Sequence, residues 1–173
     1  MGIDVVPIAA NHIEGFRAVL DLVANERRYL AMTEAPPLES VRDFVLANID
    51  KGNPHVVAID HGRVVGWCDI TRKSRGVLQH SGVLGMGLLP SHRGLGIGKR
   101  LLARALASAW SSAFTRVELT VYEENAAAIA LYESLGFERE GLMRNYALID
   151  GLYRHAFLMA IIDPEGARRA VPA

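Results

Sequence analysis

A chain of 173 residues fits one folded domain better than two. Half of its residues are hydrophobic and 22% are charged, which supplies a full core and excludes a disordered or fibrous chain. With 19 basic residues against 19 acidic ones the net charge is zero, which argues against broad binding to nucleic acid or to a membrane surface. No uninterrupted apolar run reaches the ~20 residues of a membrane helix. Cys68 is the only cysteine, so no intramolecular disulfide exists; in "VVGWCDI" it is expected as a small buried hydrophobe. No paired Cys/His spacing points to a metal site. The opening "MGIDVVPIAANHIEG" lacks the basic segment and apolar core of a signal peptide, so a cytoplasmic location is expected.

"IDVVPI", Ile3 to Ile8, is short and β-branched and reads as a strand. From Asn11, Ile13, Phe16, Val19, Leu20 and Val23 recur at three- and four-residue steps, the stripe of an amphipathic helix reaching Arg28. "EAPPL" breaks the chain, and a second helix is expected over Leu38–Ile49 with Val41, Phe44, Val45 and Ile49 inward. "HVVAID" and "RVVGWCDITR" read as a hairpin turning between Asp60 and Arg63. "VLQHSGVLGMGLL" reads as a strand whose glycines at 82, 85 and 87 signal a bulge or a close approach by another backbone or a ligand. A helix follows over Gly96–Ser112, then a strand over Arg116–Tyr122. Asn125 caps a further helix that runs to Leu135, and Gly136 stops it. Two strands, "FEREGLMRNYALI" and "LYRHAFLMAII", join at Asp150-Gly151, a strong hairpin turn. Residues 1–163 are expected as one domain and 164–173 as a flexible tail. The order β-α-α-β-β-β-α-β-α-β-β describes a mixed α/β sheet, mostly antiparallel, with helices on both faces and one parallel crossover after the glycine-rich strand.

The segment "LPSHRGLGIGKRLL" places glycines 94, 96 and 98 at a helix entrance among Arg93, Lys99 and Arg100. A helix N-terminus carries unpaired N–H groups and a partial positive charge. Glycines in the preceding turn let those groups converge on an anion. The reading is a phosphate or pyrophosphate site over Gly94–Lys99. Two familiar motifs fail on spacing. A P-loop needs glycine at 93, where Arg93 stands, and Ser or Thr where Arg100 stands; a G-x-G-x-x-G fingerprint needs glycine at Lys99 or at Leu101.

The segment does fit [QR]-x-x-G-x-[GA], with Arg93, Gly96 and Gly98 after a strand and the Pro90 turn. Together with "LTVYEENAAAIALYESLGFEREG" (strand, Asn, Tyr seven residues on, then "LGF") and the element order from Ile3 to Ile162, it resembles the GNAT superfamily of acetyl-CoA-dependent N-acetyltransferases. Its nearest likeness is to the bacterial amino-acid, phosphinothricin and RimJ/RimL-like branch. The resemblance implies a sheet splayed at the cofactor site, acetyl-CoA as cosubstrate, a small-molecule amine as acceptor and a homodimer. It implies that Met86, Gly87 and Leu88 pair with the pantetheine arm and that the N–H groups of Gly94, Leu95, Gly96, Ile97, Gly98 and Lys99 hold the pyrophosphate. Arg93 heads the motif and Asn125 and Tyr132 complete the cofactor side. A ribosomal-protein-type N-terminal acetyltransferase and a non-catalytic acyl-CoA sensor stand as alternatives.

Seven residues at 100° bring Asn125 and Tyr132 to within ~20° on one helix face, about 10 Å apart along it. On the resemblance, Tyr132 gives the leaving thiolate its proton, and an N–H near Met86 or Gly87 stabilises the oxyanion. The base is not evident. The strand over Gly82–Leu88 holds no acid, and Thr120 stands where some protein-acetylating members carry glutamate. Glu118, Asp69, His80 or a water chain are the candidates. His92 is expected as a solvated turn residue, and His12, His55 and His61 as surface or loop positions. The first two helices, with Glu26, Arg27, Arg28, Tyr29 and Glu34 near the "EAPPL" break, and the last hairpin would shape the acceptor side. His155 stands where related sequences often carry Asp.

Overall fold

The helical stripe of Ile13, Phe16, Val19, Leu20 and Val23 forms α1 (Ile13–Asn25), and all five side chains are buried. Each contributes about 1.5–3 kcal/mol on leaving water. The helix stops short of Arg28 because the chain enters the left-handed region at Arg27, φ +53°. In α2 (Leu38–Asp50) the buried stripe is Val41, Val45 and Asn48. The expected inward Phe44 and Ile49 are instead 38% and 45% exposed. They flank the i, i+4, i+7 line that faces α1 rather than lying on it.

The computed structural model describes residues 2–166; the part of the expected tail from 167 on lies outside them. The chain divides into two compact units. The first holds the residues up to Thr71 with Gly85–Ser112. In it β1 (Asp4–Pro7), β2 (His55–Asp60) and β3 (Arg63–Arg72) pair antiparallel in chain order. The β2–β3 turn places His61 and Gly62 at φ +47° and +77°, the conformation a two-residue hairpin requires. Val57 and Trp67 point into a core with Ile8, the α1 stripe, Val41 and Val45. Side chains of the opposite parity, Val56 and Cys68, are also buried, and α3 (Ile97–Ser111) packs against β1 and β2. Cys68 is a free, fully buried thiol.

The second unit holds Arg72–Leu84 and the residues from Ala113 on. A single 3-10 turn, Gly76–Leu78, precedes β4 (Ser81–Leu88), whose last four residues belong to the first unit. The β4 ladder with β5 (Arg116–Tyr122) is parallel, runs from Ser81↔Arg116 to Val83↔Glu118, and ends there, well before either strand does. Along its whole length β5 pairs antiparallel with β7 (Leu152–Ile162), and β7 with β6 (Glu138–Ile149). Asp150 and Gly151, at φ +52° and +77°, make the expected hairpin turn. Between β5 and β6 lies α4 (Ala126–Ser134). The chain is thus a mixed α/β fold whose pairings in the two units are antiparallel apart from β4 with β5.

Candidate active site

In the first unit the end of β4 is pinned by the Leu89 N–H, which donates to the Val65 carbonyl at 2.9 Å. A 3-10 turn over Pro90–His92 follows. His92 is not a solvated turn residue: it is half-buried, with Nε2 3.1 Å from an Asp60 carboxylate oxygen. The chain then enters α3 through Gly94 and Gly96, at φ +75° and +76°. A residue other than Gly, Asn or Asp there costs about 1–2 kcal/mol. A Cβ at either would meet nothing within 4 Å, so conformation rather than space demands glycine. Among the described residues, the N–H groups of Gly94 through Lys99 have no backbone acceptor; the first helical bond runs from the Arg100 N–H to the Gly96 carbonyl at 3.2 Å. Six consecutive donors at a helix N-terminus are a set that can bind an anion. Lys99 is exposed beside it, and the Arg100 guanidinium reaches the Ile3 carbonyl at 2.7 Å.

Arg93 turns elsewhere. Its Nη1 donates to Glu26 Oε2 at 2.8 Å and its Nη2 to Glu26 Oε1. Nε and Nη2 also donate to the Leu88 carbonyl, at 3.0 and 2.9 Å. The guanidinium lies 4.7 Å from the Tyr29 ring centre. The bond that it donates to Glu26 holds the Arg93 pKa above its ordinary value. Arg93 therefore fastens the chain after α1 to the end of β4.

The glycines of the β4 end have a physical reason that the sequence alone did not disclose. A Cβ on Gly87 would lie 2.4 Å from Trp67 Cη2, and one on Gly85 would lie 3.2 Å from Asp69 Oδ1. Side chains of β3 fill the space above Gly85 and Gly87. Met86 and Leu88 are half-buried. The available signal was a matched spacing: Trp67-x-Asp69 against Gly85-x-Gly87, each with the two-residue period of a strand face. Asp69 is buried; Thr71 Oγ1 donates to its Oδ2 at 3.4 Å and the Trp67 indole also bonds it. Burial pushes the Asp69 carboxyl up to about 7. His55, directly opposite Asp69 in the β2–β3 register, is 5% exposed rather than a surface residue. It stacks edge-on to Phe16 and near Phe44, with neither ring nitrogen bonded, and burial lowers its pKa to about 4.

In the second unit Asn125 caps α4, its Oδ1 accepting the Ala128 N–H at 3.2 Å. Tyr132 is 7% exposed and packs 5.7 Å from the Phe137 ring centre. Glu118 is held by two cations, Lys73 Nζ at 2.5 Å and Arg116 Nε at 3.1 Å. His80 and Thr120 are exposed. In the last hairpin Asn145 sits at φ +52° and its N–H donates to His155 Nδ1 at 2.8 Å. His155 thus accepts a main-chain bond within its own hairpin.

The family model described as Acetyltransferase (GNAT) family matches residues 17–137. N-alpha-acetyltransferase RimI of Mycobacterium tuberculosis is 39% identical over 99 residues, 57% of this chain and 61% of that one, so the match spans less than two thirds of that relative. L-amino acid N-acetyltransferase AaaT of Escherichia coli is 33% identical over 111 residues, 63% of this chain and 68% of that one. The phosphinothricin acetyltransferase Pat of Sinorhizobium meliloti, solved in complex with AcCoA, superposes with a TM-score of 0.91 at 22% identity, covering 100% of this chain and 94% of that one; at that identity the likeness is one of fold.

Proposed function

The chain belongs to the Acetyltransferase (GNAT) family, and from that premise we propose that it moves the acetyl group of acetyl-CoA onto the primary amine of a small, amino-acid-like acceptor, residues 1–163 working as one catalytic domain. The observation that carries this reading is the run of six N–H groups from Gly94 to Lys99 at the head of α3 that have no backbone acceptor among the described residues. It suits a pyrophosphate. The named activity of AaaT and the acyl-CoA bound to Pat support the choice of acceptor class and cosubstrate.

In this reading the cradle holds the pyrophosphate through backbone donors, with Lys99 adding charge. Arg93 serves by shaping the turn, since its guanidinium is engaged by Glu26 and Leu88. Met86, Gly87 and Leu88 offer backbone groups to the pantetheine arm, and an N–H there stabilises the oxyanion as the amine attacks. Asn125 spends Oδ1 on its own helix, which leaves Nδ2 for the cofactor. Tyr132 gives its hydroxyl proton to the departing sulfur and regains one from the new amide nitrogen. The C–N bond forms, the C–S bond breaks, and CoA leaves as a thiol.

A second reading, acetylation of a protein N-terminus, is favoured by the identity to RimI. A free-thiol release assay with acetyl-CoA over L-amino acids, polyamines and short peptides separates the two. Turnover of amino acids is expected; turnover confined to peptides selects the second reading. Binding of acetyl-CoA without turnover of any acceptor overturns both in favour of a sensor. Tyr132→Phe is expected to lower turnover by roughly 10²-fold or more, and unchanged turnover removes the assigned proton donor.

A further inference from the structure

An alkylammonium acceptor must lose a proton before it attacks, and the residues assigned so far do not take it. The candidates separate on geometry. The Glu118 carboxylate is clamped between Lys73 and Arg116, and His80 lies exposed in the turn before β4. The Asp69 carboxylate instead lies over Gly85, Oδ1 3.2 Å from where a Cβ would stand, beside the Met86–Leu88 stretch.

Resting on the acetyltransferase reading above, we propose that Asp69 is the general base that takes the proton of the acceptor ammonium. The carboxylate accepts one proton, the ammonium becomes the neutral amine that attacks the acetyl carbon, and the carboxyl later returns its proton to water. Three features suit Asp69 to this step. It is a β3 side chain aimed onto the face of β4 that glycine at 85 leaves open, so a methyl there would crowd the carboxylate. Among the described residues its bonding partners are the neutral Thr71 and Trp67. On β3 it meets Thr71 and Trp67, with the Cys68 thiol adjacent in the chain; on β2 it faces His55; on β4 it faces Gly85; and the ring that α1 sends to His55 and Trp67 is the neutral Phe16, as is the Phe44 of α2 at His55. Its carboxyl, pushed up to about 7 by burial, is matched to proton transfer near neutral pH.

The test follows free-thiol release by the full chain across roughly pH 5.5 to 9, with saturating acetyl-CoA and the L-amino acid or peptide that the wild type turns over fastest. The wild-type profile is expected to show an acidic limb with a midpoint near 7. Asp69→Asn is expected to keep the thermal shift given by acetyl-CoA, to lose roughly 10²–10⁴-fold in kcat/KM and to lose that limb. Full retention of rate and limb overturns the proposal while leaving the acetyltransferase reading intact. Absence of turnover in the wild type overturns both. Should Asp69→Asn fail to fold, Gly85→Ala decides: its methyl against Oδ1 is expected to move the limb to higher pH, and an unmoved limb overturns the proposal.

Discussion

His55 and Asp69 stand directly opposite each other on β2 and β3, and burial keeps both uncharged between about pH 4 and about 7. Their effects on stability run in opposite directions. The Asp69 carboxyl lies above its ordinary 3.8, so the stability it contributes is full below that value and is lost as pH rises through about 7. The His55 imidazole lies below its ordinary 6.5, so its contribution is full above 6.5 and is lost as pH falls toward about 4. In the wild type the two partly cancel across this window.

Single substitutions should expose each half. Asp69→Asn is expected to remove the decline between about pH 4 and about 7, worth on the order of 4 kcal/mol. The variant then gains on the wild type as pH rises. His55→Leu is expected to remove the opposite acid-side loss, on the order of 3 kcal/mol, between 6.5 and about 4. Urea unfolding at a series of pH values reads both slopes, and parallel curves for wild type and variants would contradict the assignment.

The Arg93–Glu26 pair is expected to hold the chain after α1 against the end of β4. A double-mutant cycle with Arg93→Met and Glu26→Gln should give a coupling of about 1 kcal/mol, reduced by its partial exposure. Glu26→Gln alone should raise the KM for acetyl-CoA several-fold, because the Leu88 carbonyl then shares a looser guanidinium. A coupling near zero would mark the pair as a passive surface contact.

Gly96→Ala keeps the turn open but forces a side chain to φ +76°, which costs about 1–2 kcal/mol. Its acetyl-CoA affinity should fall modestly. Gly96→Asp adds a negative charge at the cradle and should abolish the thermal shift given by acetyl-CoA. Equal affinities in the two variants would separate the turn from anion binding.

Gly87→Ala drives a methyl into the Trp67 ring, where the nearest atom stands 2.4 Å away. Overpacking of this kind costs about 1–3 kcal/mol. Trp67→Phe in the same chain should recover part of that loss, which a thermal melt of the two variants measures. Failure of the second change to recover anything would show that the β4 backbone, not the ring, opposes the methyl.

Features governed by a few neighbouring residues were legible in the sequence. The αL glycines before α3, the Asn125 cap, the Asp150-Gly151 turn and the α1 stripe each follow from local φ preference, one hydrogen bond or a helical period. The two motifs that suggested an acyl-CoA site are local in the same way, and the family match agrees with them. Residues whose role depends on another element of the fold were not legible. His55 reads as a surface histidine until Phe16 and Phe44 close over it, and Phe44 reads as core until α2 settles on Val41, Val45 and Asn48. Arg93 reads as a charge beside the glycine turn, and nothing local in the sequence shows that it bonds Glu26.

By itself the sequence determined the order and kind of the elements, the hairpin turns and the glycine turn into α3, because these follow from backbone conformation within a few residues. The tertiary structure alone decided why β4 carries Gly85 and Gly87, and that Asp69 leaves water. Both depend on β3 lying beside β4, and desolvation and side-chain overlap are properties of that neighbourhood rather than of either segment.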